Sequence, residues 1–275
     1  MIVDAHFHCW RLARGDYGWL VPELGAIHRD VTIADWGAEA RPLGVEAGVL
    51  VQAAPTQAET EFLLEHAAVH GAVLGVVGWV DLSAEDAPQR IEELTARPKL
   101  KGLRPMLHDL PDPDWILHAA LAPALHAMAA HGLVFDALVR PVHLPRIVEL
   151  CRRHPDLQVV VDHGGKPDIA NAQWQPWAND VQRLADETQA VCKLSGLLTE
   201  AGPRPGPGAA DRWAAHLLEG FGADRLLWGS DWPVLERAAS YRQWWSDTAG
   251  ALERLTETER AAVLGGNARR VYRLG

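Results

Sequence analysis

Eight short apolar runs, each followed by a loop and an amphipathic stretch, constrain this chain most. They are Ile2–His6, Ala47–Ala53, Ala72–Val80, Leu100–Met106, Leu133–Val139, Leu157–Asp162, Ala190–Leu194 and Arg225–Gly229, with starts roughly 25 to 45 residues apart. Near-continuous apolar runs suit strands covered on both faces, as in a parallel sheet. The spacing leaves room for a helix between consecutive strands. Helical periodicity reads over Ala58–His70, Ala84–Ala96, Trp115–Ala130, Leu144–Arg153, Trp177–Glu187, Arg212–Gly220, Ala239–Ala249, Glu257–Leu264 and Asn267–Tyr272. The expected fold class is therefore α/β: an eight-stranded (β/α)8 TIM-like barrel, one domain over residues 1–275. A doubly wound sheet is the alternative. No Gly-x-Gly-x-x-Gly follows any run, however, and there is no Gly-Lys-Ser/Thr phosphate loop.

Charge narrows the partners. With 26 basic and 36 acidic residues the net charge is −10, which argues against a nucleic-acid footprint or an anionic membrane surface. No stretch reaches the roughly 20 apolar residues of a membrane span. The three cysteines, Cys9, Cys151 and Cys192, are far apart and give neither a Cys-x-x-Cys spacing nor a disulfide framework. Free thiols, and no cationic leader before Ile2, give an expectation of a cytoplasmic protein. Most of the twelve Trp read as packing, and exposed ones could serve a homo-oligomer.

In this fold, chemistry gathers at the C-terminal ends of the strands. The ends here are polar at all eight positions: His6 and His8, Gln52, Trp79 with Asp81, Arg104 with His108 and Asp109, Arg140, the run Asp162-His163-Gly164-Gly165-Lys166, Lys193 with Ser195, and Gly229-Ser230-Asp231. Capping or solvation explains any one of them alone; the full set calls for a site. Strand alternation puts His6 and His8 on one face, with Asp4 behind them on that same face. Closing the barrel brings Asp231 beside the histidine pair. A carboxylate among imidazoles can act as a general base for water. The imidazoles, directly or through a metal, can polarise a carbonyl.

These stretches carry a resemblance. MIVDAHFHCW, VLVQAAP, VVGWVDL, LKGLRPMLHDLPDPDWI, FDALVRP, VVVDHGGKP, VCKLSGL, LLWGSDWPV and GGNARRVY cover nearly the whole chain in order. The pattern resembles the amidohydrolase superfamily, and within it the amidohydrolase-2 group of lactonases that act on sugar acids. The resemblance implies a distorted eight-stranded barrel and hydrolysis of a cyclic ester, a small-molecule lactone of the L-fuconolactone kind. By motif, Asp231 would be the general base, and His6, His8 and His163 would polarise the carbonyl. Arg104, Arg140, Lys193, Gln52 and Trp79 would bind or surround the substrate. No cofactor is strictly required on this pattern; one Zn²⁺ or other divalent metal on His6, His8, His163 and Asp231 is the allowed addition. A binuclear site is not expected, because Arg104 stands where a bridging lysine would be, Lys101 lies at the start of the strand, and the fifth strand ends in Leu138-Val139-Arg140 with His143 beyond it. A mononuclear metal-dependent amidohydrolase or decarboxylase acting on another small carbonyl substrate is the alternative. Pro105 and His108 depart from the sugar-lactonase pattern. The long loop 12–32 and the Pro/Gly loop 201–209 lie where either could cover a substrate.

Overall fold

The structure is a computed structural model describing residues 1–275. Each expected run carries a strand: β1 (Ile2–Phe7), β2 (Val45–Val51), β3 (Val73–Gly78), β4 (Leu100–Leu103), β5 (Val134–Ala137), β6 (Val159–Val161), β7 (Val191–Leu194) and β8 (Leu226–Trp228). All pairings are parallel and follow sequence order. β8 meets β1 through two backbone bonds beyond its end: Asp231 N–H donates to His6 O and His8 N–H to Trp232 O, each at 2.8 Å. The helices are α1 (Ile33–Ala40), α2 (Gln57–Val69), α3 (Ala87–Thr95), α4 (Ala122–Ala130), α5 (Leu144–Arg153), α6 (Trp177–Glu187), α7 (Leu197–Glu200), α8 (Asp211–Phe221), α9 (Tyr241–Ala251), α10 (Glu257–Ala261) and α11 (Asn267–Val271). None is long and apolar enough to cross a membrane. All three cysteines are free.

The core has two layers. A large apolar cluster lies between strands and helices. A smaller one fills the barrel with Val49, Val77, Val134, Val160, Val191 and Leu227, and is plugged from below by Ala268, Val271, Tyr272 and Leu274 at the chain's end.

Two expectations about helices fail for readable reasons. The segment expected as one helix over Trp115–Ala130 begins as two 3-10 turns, Trp115–Leu117 and Ala119–Leu121. Pro123 stands at the start of α4, lacks an N–H, and clashes with the carbonyl a turn earlier. Conversely, α1 begins directly after the loop 12–32, where no helix was expected. Its capping box, Thr32 with Asp35, is the start signal that was present.

β1 breaks the simple alternation. Asp4 pairs with Gly48 and Phe7 with Leu50, so three steps on β1 match two on β2: a bulge. Val3 and Ala5 face the barrel interior, as the alternation requires. Beyond the bulge His6 also faces inward, while Phe7 points outward onto Trp36 of α1, with ring centroids 4.2 Å apart. Asp4 is therefore not behind the histidines, as strict alternation had placed it. It lies on the outer face and accepts from Trp36 Nε1 (3.0 Å), Tyr241 OH (2.9 Å) and Ser230 N–H and Oγ (2.8 and 2.6 Å). Gly48 makes the bulge possible: a Cβ there would lie 2.8 Å from the Phe7 ring and 3.0 Å from Asp4 O. Gly48→Ala should cost roughly 1–3 kcal/mol by overpacking. Equilibrium denaturation checks this, and wild-type stability would contradict the seating of Phe7.

Candidate active site

Four side chains from three strands meet inside the barrel mouth. His6 Nε2 and His8 Nε2 are 3.1 Å apart. Asp231 Oδ1 lies 3.3 Å from His8 Nε2 and 3.7 Å from both His6 Nε2 and His163 Nε2. The expected set His6, His8, His163 and Asp231 is thus brought together, and all four residues are buried. Their outer contacts hold them still. His8 Nδ1 lies 2.8 Å from Val51 O and His163 Nδ1 2.9 Å from Ser195 Oγ. Two of the four sit in left-handed backbone, His163 at φ 54° and Asp231 at φ 59°. Side chains rarely adopt this conformation, and such strain gathers at functional sites. The His163 ring also needs Gly196: a Cβ there would come within 2.7 Å of it.

The second expected group is placed less uniformly. Arg104 is buried; its Nη1 lies 3.1 Å from Asp162 Oδ2 and 3.3 Å from His6 Nε2, and its Nη2 donates to Gln52 O. Gln52 in turn donates from Nε2 to Arg104 O at 2.7 Å, leaving its Oε1 without a protein partner. Arg140 is exposed at the rim, with Nε donating to His108 O. Trp79 is half-buried at the end of β3, its backbone pinned to Thr60 Oγ1. Lys193 is fully buried beneath His6 and shared by Asp136, Asp162 and His6. Its ammonium has no open face toward the mouth, so direct contact with substrate oxygens, as expected from sequence, is not what its placement offers. His143 accepts from Arg140 N–H and stands apart from the cluster.

The loop over residues 12–32 is tied down on two sides. Trp19 Nε1 donates to Ala53 O at 2.7 Å beyond β2, and Arg29 Nη2 contacts both Glu236 oxygens, at 2.9 and 3.1 Å, beyond β8. Trp10 from the same region stacks beside His8, with centroids 6.2 Å apart.

A family model described as Amidohydrolase matches residues 3–274. This chain belongs to the amidohydrolase family. It is 44% identical over 276 residues to an L-fucono-1,5-lactonase of Burkholderia ambifaria, covering 99% of this chain and 95% of that protein. It is 36% identical over 290 residues to an L-fucono-1,5-lactonase of Burkholderia multivorans, covering 99% and 96%. The crystal structure of an amidohydrolase from Burkholderia multivorans with bound zinc matches at a TM-score of 0.94 and 35% identity, over 100% of both chains.

The amidohydrolase site has a donor set that fits a metal ion. Ligand atoms of His6, His163 and Asp231 lie within 4.8 Å of one another. With His8 Nε2 beside them, they supply the imidazole nitrogens and carboxylate oxygen that zinc takes. Burial disfavours the charged forms, so the His6 imidazole is held well below its usual range and His163 falls to about 4. Burial alone would raise the Asp231 carboxyl. His163, the hydrogen bond to His8, and His6 outweigh it, and Asp231 stays below the usual carboxylate range.

Sequence reasoning missed Glu59, whose carboxylate accepts from Ala53 N–H (3.0 Å) and Ala54 N–H (2.6 Å) and shapes the turn after Gln52. Its signal was a charge on the inner face of α2, where Thr60, Leu63 and Leu64 are also buried. Burial pushes Glu59 up to about 7 from an ordinary 4.5. Between those values the folded chain binds the extra proton, so this group's stabilising share is full below 4.5 and is lost as pH rises through 7. Glu59→Gln should flatten the fall in melting temperature between pH 5 and 7.5. An unchanged slope, read by thermal scans of both proteins, would contradict the assignment.

Proposed function

We propose that this amidohydrolase opens a cyclic ester, a sugar-acid lactone of the L-fucono-1,5-lactone kind, by attack of water. The observation that carries this is the Asp231 carboxylate held 3.3 to 3.7 Å from three imidazoles at the barrel mouth. The names of the two Burkholderia relatives support the substrate. Asp231, ionised at any working pH, accepts a proton from water as the oxygen adds to the lactone carbonyl carbon. His6, His8 and His163 surround the oxygen on which negative charge then develops. The acyl C–O bond breaks, Asp231 returns its proton to the departing ring oxygen, and the product is a hydroxy acid whose new carboxylic acid group ionises, releasing one proton to solvent. Arg140 at the rim meets a substrate oxygen, with Gln52, Trp79 and Trp10 shaping the walls. The substrate is a small molecule met in the cytoplasm, with no nucleic acid or membrane as partner.

A divalent metal bound by His6, His8, His163 and Asp231 would act as a Lewis acid on the carbonyl oxygen. We propose that hydrolysis does not depend on it, since the imidazoles are already buried, oriented and backed by Arg104.

L-Fucono-1,5-lactone should be hydrolysed with acid release in a pH-indicator assay, and Asp231→Asn should lose roughly 1000-fold in rate. A variant near the wild-type rate, with its melting temperature retained, would refute the base assignment. Chelator-treated protein should keep most of its rate. Loss of activity that zinc restores would favour the metal-dependent reading instead.

A further inference from the structure

His6 has a close partner at each ring nitrogen, and the one at Nδ1 decides which nitrogen can carry its proton. At Nδ1 the neighbour is Lys193 Nζ, 3.1 Å away. An ammonium only donates, so Nδ1 must accept. At Nε2 the neighbour is His8 Nε2, also 3.1 Å away. His8 Nδ1 faces the Val51 carbonyl at 2.8 Å, and a carbonyl only accepts, so His8 Nδ1 carries a proton, while its Nε2 also lies 3.3 Å from Asp231 Oδ1. Asp231 Oδ1, 3.7 Å from His6 Nε2, is an acceptor on the same side of the ring.

The opposite tautomer has weaker support. It would send Nδ1–H to Asp162 Oδ1 at 3.5 Å and have Nε2 accept from Arg104 Nη1 at 3.3 Å. The first distance is at the limit of a hydrogen bond. Arg104 Nη1 already donates to Asp162 Oδ2 at 3.1 Å. With the Lys193 ammonium donating to Nδ1, that nitrogen stays bare and the one ring proton sits on Nε2.

Lys193 is itself fixed in place. Its Nζ lies 2.5 Å from Asp136 Oδ2 and 2.9 Å from Asp162 Oδ1. Tyr272, near the chain's end and inside the barrel, donates its hydroxyl to the Asp136 carboxylate at 2.8 Å. All of these side chains are buried. The last turn of the chain is thus joined to His6 through Asp136 and Lys193.

We infer that Lys193 is a positioning residue that holds His6 in the Nε2–H tautomer, so that His6 presents a hydrogen-bond donor to the pocket. Its use in catalysis rests on the hydrolysis proposed above; its geometry does not. A donor at this place faces the oxygen on which charge develops during lactone opening. A metal ion at His6 would first have to displace this proton.

The test is the tautomer itself. Long-range ¹H–¹⁵N correlation spectra of the purified protein, with His6 assigned through His6→Gln, should show Nε2–H in the wild type and Nδ1–H in Lys193→Met. The variant should also lose roughly 100-fold in kcat, the size of one oxyanion donor, with KM within about twofold. Nδ1–H in the wild type, Nε2–H retained in Lys193→Met, or kcat within about twofold of the wild type would each overturn the inference. Should Lys193→Met fail to fold, neutron diffraction of the wild type decides. A deuteron on His6 Nε2, with a Lys193 deuteron directed at Nδ1, supports the inference, and a deuteron on Nδ1 overturns it. If the wild type hydrolyses no lactone, the proposed function falls, while the spectra still decide the role of Lys193.

Discussion

The seam between the first and last strands is the constraint on which the site depends. Asp4 sits there, wholly buried, and gathers donors from Ser230, Trp36, Tyr241 and the His6 backbone. Burial pushes its carboxyl up, and the hydrogen bonds from Ser230 and Trp36 pull it back. The result ties β1, the turn after β8, α1 and α9 at one point. Asp231 follows Ser230 directly, and its N–H bonds to His6 O. The proposed base and the proposed polarising histidine are therefore separated by one backbone hydrogen bond, although 225 positions divide them along the chain.

A bulge at the same seam sets which way the histidines look. Without the extra residue between Asp4 and Phe7, inward Val3 and Ala5 would send His6 outward into the helix layer. The bulge reverses the parity, and Gly48 yields the space that Phe7 then takes. Below the histidines, Asp136, Asp162, Lys193 and Arg104 form a charged layer with almost no exposure. Such a layer is costly to desolvate, and each charge must be paired to persist. Burial pushes the Asp136 carboxyl up, while Lys193, His6 and Arg104 outweigh burial at Asp162 and hold it down. These charges separate the apolar barrel floor from the reactive mouth.

Much of this was legible in the sequence, for physical reasons that differ by residue. All eight strands were visible because buried parallel strands are written as plain apolar runs. Helices α5 and α6 were read at the bounds they have, since their amphipathic pattern is strong. His6, His8, His163 and Asp231 stood out because polar groups ending apolar strands are expensive unless used. The facing of Asp4 was misread, because a bulge leaves no mark in one strand's own pattern and depends on its partner. Lys193 was read as a substrate contact for a related reason. A lysine in an apolar strand says that the side chain is inside, but only the neighbours Asp136, Asp162 and Tyr272 say what it touches. The Trp115–Leu121 turns were hidden by a helical period that Pro123 interrupts.

The central claim is that Asp231 activates water rather than attacking the lactone itself. A single turnover of L-fucono-1,5-lactone in H₂¹⁸O, with excess enzyme and mass analysis of product and protein, separates the two. A general base predicts one ¹⁸O in the product carboxylate and none in Asp231. Unlabelled product with ¹⁸O retained in the Asp231 carboxylate would contradict it.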